Sequence, residues 1–82
     1  MAKVQTEFYK TKDLGEAGVL IIKGQQLSTI EREGGGICWF VFSNKNECEQ
    51  LSNKYYFGEI LINARDFQEV TKRLKGRIFA KD

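Results

Sequence analysis

The residues of this sequence best suited to chemistry are four cations near its carboxyl end. Lys72, Arg73, Lys75 and Arg77 fall within six positions, and no acidic residue separates them. Lysine and arginine neutralise phosphate groups, and such contacts supply most of the sequence-independent affinity of proteins for nucleic acid. The cluster therefore favours nucleic-acid binding. Two alternatives stay open: a solvated helix face whose cations complement the helix dipole, and a surface that meets an acidic partner.

Trp39 is the second candidate, because an aromatic ring on a sheet can stack on a nucleic-acid base. It lies in the apolar run Ile37–Phe42, the third predicted strand, where RNA-recognition domains place stacking aromatics. Residues 35–42 agree with the motif of those domains at the glycine, the small residue and two aromatics. They differ at the basic residue, one aromatic and the aliphatic position. The alternative is that Trp39 packs beneath the last helix or in a dimer contact.

The composition argues against catalysis. The sequence has no histidine, which removes the commonest general base and every nucleophile activated by histidine. Its carboxylates form no evident pair, so we predict a protein that is not an enzyme and uses no cofactor or small-molecule substrate. Cys38 and Cys48 are interpreted as small buried apolar residues rather than as a disulfide. Two thiols without histidine make no convincing zinc ligand set, so no metal is expected.

The length of 82 residues indicates a single domain over residues 1–82, with an ordered core at about 7–79 and short flexible termini. The formal net charge of +2 is too small to indicate nucleic acid, so the placement of the charges matters more. No apolar run is long enough to cross a bilayer, and the first residues lack the apolar segment of a signal peptide. We therefore expect a cytoplasmic protein with no membrane contact.

The chain is predicted to start with a short strand at residues 7–11 and a helix over residues 13–23. Asp13 or Thr11 is expected to cap the free amides of this helix, and Glu16 can reach back as in a capping box. Residues 19–22 suit a strand equally well, so a strand stays open as the alternative. Two poor helix formers lie within the segment: Gly15 and Gly18.

A β-hairpin is predicted next. Two strand-like runs, residues 27–33 and Ile37–Phe42, flank the triplet Gly34–Gly36, and a glycine-rich connection is typical of a hairpin. The triplet could instead be taken for a phosphate-binding loop. Such loops precede a helix whose amide groups hold the anion, whereas this loop precedes a strand, so the hairpin is favoured.

Two helices and a short strand complete the prediction. Asn44 caps a helix over Lys45–Tyr56, a strand follows at residues 60–62, and Asn63 caps the last helix. Three aromatic residues at the end of the second helix are expected to cap the edge of the core: Tyr55, Tyr56 and Phe57. The last helix has an apolar stripe at helical spacing: Phe67, Val70, Leu74 and Ile78.

This order predicts an α+β fold, a small antiparallel sheet with the βαββαβ order of ferredoxin-like domains plus a C-terminal helix. Two helices would cover one face of the sheet. The stripe of the last helix would cover the other face and hide the second apolar side of the central strand. The cations would flank that stripe, with Arg65, Lys72 and Lys75 on one side and Arg73 and Arg77 on the other.

The sequence also resembles a small uncharacterised domain family of bacteria, chiefly Firmicutes, and of phages or other mobile elements. The resemblance covers about residues 8–79, and it implies a cytoplasmic and phage-borne protein without implying an activity. It favours a helix over residues 13–23. It rests on these residues: Thr11, Lys12, Asp13, Leu14, Ala17, Gly24, Phe40, Val41, Phe42, Tyr55, Tyr56, residues 62–65 and residues 74–79.

We therefore predict a non-enzymatic accessory protein of a phage or mobile element that binds nucleic acid through its basic last helix. The alternative is a protein-interaction module, either a homodimer or an adaptor or inhibitor of a host complex. The predicted nucleic-acid-binding residues are Arg65, Lys72, Arg73, Lys75, Arg77 and Trp39.

Overall fold

The computed structural model describes residues 7–79, which form a mixed α+β fold with a three-stranded sheet and three α-helices. The predicted flexible termini, residues 1–6 and 80–82, lie outside the described residues. In chain order the elements are β1 Tyr9–Thr11, α1 Leu14–Ile22, β2 Leu27–Glu33, β3 Ile37–Phe42, α2 Lys45–Tyr56 and α3 Ala64–Phe79. Across residues 7–79, every helix is too short or too polar to span a membrane.

The sheet is antiparallel, and β3 is its central strand. The strand order is β1-β3-β2, with Thr11 and Ile30 both opposite Phe40. The predicted hairpin is confirmed. Its three glycines form a single 3-10 turn, and the φ of +82° at Gly35 is a conformation that favours glycine.

The predicted fourth strand is wrong. Residues 59–63 form no helix or strand. The first five predicted elements, from β1 to α2, are therefore present, but the sixth is missing, and the described residues do not form the complete βαββαβ order. The reason is the shortness of the connection. The Glu59 amide still bonds the carbonyl of Lys54 in the last turn of α2, and Asn63 already caps α3. Three residues are too few to leave one helix, run along a sheet edge and enter the next helix.

The hydrophobic core lies on one face of the sheet. Phe40 and Phe42 of β3 point into it and pack with Ala17 and Leu20 of α1 and Cys48 of α2. The burial predicted for Cys48 is confirmed, and both Cys48 and the half-buried Cys38 are free thiols. Burying this apolar surface is the main source of stability in a domain of this size.

The third helix lies on the same face of the sheet. Its stripe is the predicted one, and Leu74 belongs to the core cluster that contains Phe40. The predicted position of this helix over the second face is therefore wrong, because Trp39 and Phe40 alternate and point to opposite faces. The helix packs chiefly along α1 instead.

Within residues 7–79, long charged side chains rather than a helix lie over the second face of β3. Lys10 of β1, opposite Val41, and Glu31 of β2, opposite Trp39, form an ion pair of 3.0 Å across the central strand. The ammonium group of Lys12 lies 5.2 Å from the centroid of the Trp39 ring, a cation–π contact. The aliphatic parts of such side chains cover apolar surface while their charges stay in water.

The segment that followed β1 is a helix, as predicted, and not a strand. The Asp13 carboxylate accepts a hydrogen bond of 3.1 Å from the amide of Glu16, and α1 ends before Gly24. Its glycines have a packing reason. A Cβ at Gly18 would lie 3.0 Å from a methyl carbon of Thr71, so the missing side chain lets α3 approach α1.

This packing predicts opposite results for one substitution at two helical glycines. Gly18→Leu is expected to lower the free energy of unfolding by about 1–3 kcal/mol, because the side chain overlaps α3. The matched change Gly76→Leu is expected to raise it by about 0.5–1 kcal/mol, since nothing lies within 4 Å of a Cβ there and leucine favours helix. Urea denaturation measures both values. Equal effects would show that α3 does not pack against α1 at Gly18.

Candidate functional site

The outer surface of α3 carries the predicted cations. Every one of them is exposed, and within residues 7–79 none forms an ion pair: Arg65, Lys72, Arg73, Lys75 and Arg77. They project outward because the apolar stripe of α3 faces the core, which leaves the rest of the helix to water. The positive charge of this surface is therefore available to a partner.

The cations lie on two flanks of the helix, as the spacing predicted. Lys72 and Lys75 border a shallow open depression, which is also lined by Gln68, Glu69 and Thr71. Arg73 and Arg77 instead border a groove that α3 forms with the end of α1 and the start of β2. The surface thus has a lysine flank on open helix and an arginine flank beside a groove.

A further cation, which the sequence did not assign to this surface, joins it from the sheet. The guanidinium of Arg32 in β2 donates hydrogen bonds of 2.7 Å to the carbonyl of Ile78 and 3.0 Å to the carbonyl of Arg77. These carbonyls lie in the last described turn of α3, where carbonyls face the negative end of the helix dipole, so Arg32 bonds them and complements that dipole. It adds positive charge beside Arg77.

Trp39 is not part of this surface. Its half-buried ring lies on the face of the sheet opposite to all three helices, beneath Lys12. The structure therefore places the five predicted cations on α3 and separates them from the predicted aromatic residue. Base stacking on Trp39 stays a prediction, and it would require Lys12 to leave the ring.

A second cluster surrounds Glu16, which is 2% exposed. One carboxylate oxygen accepts hydrogen bonds from the hydroxyls of Thr11, at 2.7 Å, and Tyr56, at 3.1 Å. The other accepts a bond of 2.5 Å from the hydroxyl of Tyr9, whose oxygen also lies 3.0 Å from the hydroxyl of Ser52. The donors come from β1 and α2, so a carboxylate on α1 joins three elements.

The hydroxyl donors of this cluster are held in their neutral form. Burial, followed by the hydrogen bond to Glu16, raises the pKa of Tyr9 to about 12. The pKa of Tyr56 is raised as well, first by burial of its hydroxyl and then by its hydrogen bond to Asp13. Because Glu16 is saturated by internal donors, the cluster is suited to holding elements together rather than to binding a ligand. Nowhere in residues 7–79 do three metal-ligating side chains gather into a metal site.

The raised pKa of Tyr9 predicts a loss of stability at alkaline pH. The folded state keeps the Tyr9 proton to a higher pH than the unfolded chain, so this stabilisation is complete below pH 10 and is lost as the pH rises towards about 12. Tyr9→Phe should lower stability at neutral pH and reduce the decline above pH 10. Urea denaturation at a series of pH values checks this, and identical declines in the two proteins would contradict it.

Comparison with known proteins gives one result. Residues 6–80 match the family described as Domain of unknown function (DUF5659). The chain belongs to the DUF5659 family. No curated protein and no solved structure matches it.

In this DUF5659 domain the Glu16 cluster contains several residues on which the sequence resemblance rested. The hydroxyls of Thr11 and Tyr56, from two distant parts of the chain, both donate to the Glu16 carboxylate, and the Tyr56 hydroxyl also lies within hydrogen-bond distance of the Asp13 carboxylate. The prediction that the Glu16 side chain reaches back to cap its own helix is wrong. Its carboxylate accepts hydrogen bonds from the hydroxyls of Tyr9, Thr11 and Tyr56 instead. The signal in the sequence was the position of Glu16 four residues before the buried Leu20, which places both on one helical face.

Proposed function

We propose that this DUF5659 domain is a non-enzymatic protein that binds nucleic acid through α3. One observation carries the proposal. Four exposed cations lie within six residues of the helix, from Lys72 to Arg77, with no acidic residue between them and no ion pair to any described residue. Exposed cations at this density on one helix suit contacts with phosphates, because each contact releases a bound counterion.

Two neighbouring features support the same surface. Arg32 adds a guanidinium at the end of α3. Gly76 lies among the cations with nothing within 4 Å of where its Cβ would be, so packing does not explain a residue that weakens the helix. Its missing side chain leaves room for a phosphate backbone to come close to the helix.

The proposal keeps the accessory role predicted from the resemblance, in the cytoplasm of a cell that carries a phage or mobile element. It does not use Trp39, which lies on the other face of the sheet. The nucleic acid would lie along α3 and be held by its backbone, so we expect affinity with little dependence on base sequence.

Fluorescence anisotropy with labelled single-stranded and double-stranded oligonucleotides at low salt tests the proposal. Lys72→Gln with Lys75→Gln should weaken binding about tenfold or more. The matched control, Lys23→Gln with Lys54→Gln, removes the same charge from exposed residues outside α3 and should change affinity by less than about twofold. Failure of the unaltered protein to bind either oligonucleotide would overturn the proposal.

A second candidate function, a self-associating interaction module, is favoured by the connection between α2 and α3. Phe57 is 76% exposed and Leu61 is 87% exposed, and Tyr56 beside them is 61% exposed. Large apolar side chains in a surface loop are typical of protein contacts. Light scattering over a range of concentrations tests it. A dimer that Phe57→Ser with Leu61→Ser converts to a monomer would support this function, and an unaltered protein that stays monomeric would exclude it.

A further inference from the structure

The groove beside the arginine flank has the features of a binding site. It has a volume of about 280 Å³ and lies between the end of α1, the start of β2 and α3. Its apolar surface comes from Ile21, Leu27, Val70 and Leu74. These side chains belong to or pack against the core, so the surface is held in place by the fold.

The charge at the groove is entirely positive. Arg73 and Arg77, four residues apart on α3, lie on one side of it, and none of the residues 7–79 that line it is acidic. Side chains at this spacing lie one above the other along a helix, with their Cβ atoms about 5–6 Å apart. The groove therefore offers an apolar slot beside two aligned guanidinium groups.

Amide side chains complete the lining. The side chain of Gln25 is fixed by a hydrogen bond of 2.9 Å to Glu47, and its carbonyl oxygen lies 3.8 Å from the sulfur of Cys48. Gln26 is exposed beside it. An exposed amide can both donate and accept hydrogen bonds, which suits the polar edge of a ring.

We infer that this groove accepts one unpaired base of a single-stranded nucleic acid, while Arg73 and Arg77 contact the phosphates on either side of it. The inference rests on the proposed function and adds a substrate class to it. A base has apolar faces, a hydrogen-bonding edge and anionic groups on each side, which correspond to the three parts of the groove. The volume is at the lower limit of small-molecule sites, about 300 Å³, so the groove suits a single ring system.

This geometry predicts selectivity for single strands. A base within a duplex is stacked and paired, and extracting it costs a few kilocalories per mole. The lysine flank of α3 faces open solvent and would contact only phosphates. Because single and double strands both present phosphates, the lysine flank should not distinguish between them. Arg73 and Arg77 should therefore matter more for single-stranded than for double-stranded oligonucleotides.

Methyl NMR spectra of the whole chain test the inference. Uridine monophosphate and a short single-stranded oligonucleotide are each expected to shift the methyl signals of Ile21, Leu27 and Val70, whereas inorganic phosphate is not. A shift of these methyls by a peptide of alternating glutamate and leucine, with none from the nucleotide, would overturn the inference. So would oligonucleotide binding that leaves these methyls unchanged, and in that case the proposed function would stand.

Two double variants that remove the same charge distinguish binding in the groove from the general electrostatic attraction of the helix. Arg73→Gln with Arg77→Gln should abolish the methyl shifts and weaken single-strand binding several times more than Lys72→Gln with Lys75→Gln, which keeps the shifts. Equal losses of affinity with unchanged methyl shifts in both variants would contradict base insertion. Absence of oligonucleotide binding by the unaltered protein would overturn the proposed function and this inference together.

Discussion

Replacing Glu16 with alanine is expected to lower the free energy of unfolding by about 2–4 kcal/mol, the largest effect of any single change that we predict. The substitution removes the acceptor of three hydroxyl groups, from Tyr9, Thr11 and Tyr56, and leaves a small cavity between β1, α1 and α2. In a domain of this size such a loss lowers the melting temperature by about 10–25 °C. Circular dichroism during thermal and urea denaturation measures both quantities.

Glu47 supplies a matched control. Glu16 and Glu47 occupy the same position in their helices, three residues after the N-caps Asp13 and Asn44. Glu47 is exposed, and among the described residues its carboxylate accepts a hydrogen bond only from the side-chain amide of Gln25, at 2.9 Å, so Glu47→Ala is expected to cost no more than about 1 kcal/mol. Similar losses for Glu16→Ala and Glu47→Ala would show that the hydroxyl cluster does not stabilise the fold.

Removing the four clustered cations of α3 is expected to have the largest effect on binding. Four substitutions to glutamine, at Lys72, Arg73, Lys75 and Arg77, should weaken oligonucleotide binding by about a hundredfold or more at low salt. The physical reason is the loss of up to four phosphate contacts and of the counterion release that accompanies them. Because these residues are exposed and form no ion pair with a described residue, the melting temperature should hardly change.

The control for this variant removes four positive charges from elsewhere on the chain. Glutamine at Lys12, Lys23, Lys45 and Lys54 changes the net charge by the same amount and leaves α3 intact. We expect this control to retain most of its affinity. A greater loss of affinity in the control than in the α3 variant would show that the binding surface lies elsewhere. The face of the sheet with Trp39, which Lys12 contacts, would then be the next candidate.

Local features of the fold could be predicted from the sequence because they depend on neighbouring residues. The N-caps at Asp13, Asn44 and Asn63 each accept a backbone amide hydrogen bond, and α2 has the predicted bounds. The hairpin follows from three glycines between two strand-like runs. Each of these signals is complete within a few residues, so no tertiary contact was needed to interpret it.

The role of Glu16 could not be predicted in this way. Asp13 to Glu16 and Asn44 to Glu47 show the same capping pattern, yet one glutamate is buried and the other exposed. The difference arises from Tyr9 and Tyr56, which reach Glu16 from other elements. A pattern shared by a buried and an exposed residue carries no information about which of them is buried.

The position of α3 also depended on distant contacts. Its apolar stripe was predicted, but a stripe does not say which apolar surface it meets, and both faces of β3 offered one. Gly18 allows α3 to approach α1 closely on one face of the sheet, while the ion pair of Lys10 and Glu31 lies on the other face. Arg32, 45 residues before the carbonyl of Arg77, gave no local signal of its contact with α3.

The candidate surface was therefore predicted in part. The exposure of the five cations followed from the helical spacing of the stripe, since residues outside the stripe face water. The predicted grouping of Trp39 with those cations could not be judged from helical spacing, because it depended on which face of the sheet α3 covers. The groove beside Arg73 and Arg77 includes residues of α1 and β2, so it exists only once the fold has formed.

The dependence of oligonucleotide affinity on salt concentration tests the central claim most directly. If about four cations of α3 contact phosphates of a single strand, the logarithm of the binding constant should fall linearly with the logarithm of the salt concentration, with a slope of about −3. The variant that lacks Lys72, Arg73, Lys75 and Arg77 should show a much shallower slope, because only Arg65 and Arg32 of the described cations remain on this surface. Absence of binding by the unaltered protein at low salt, or equal slopes for the two proteins, would contradict the claim that α3 binds nucleic acid.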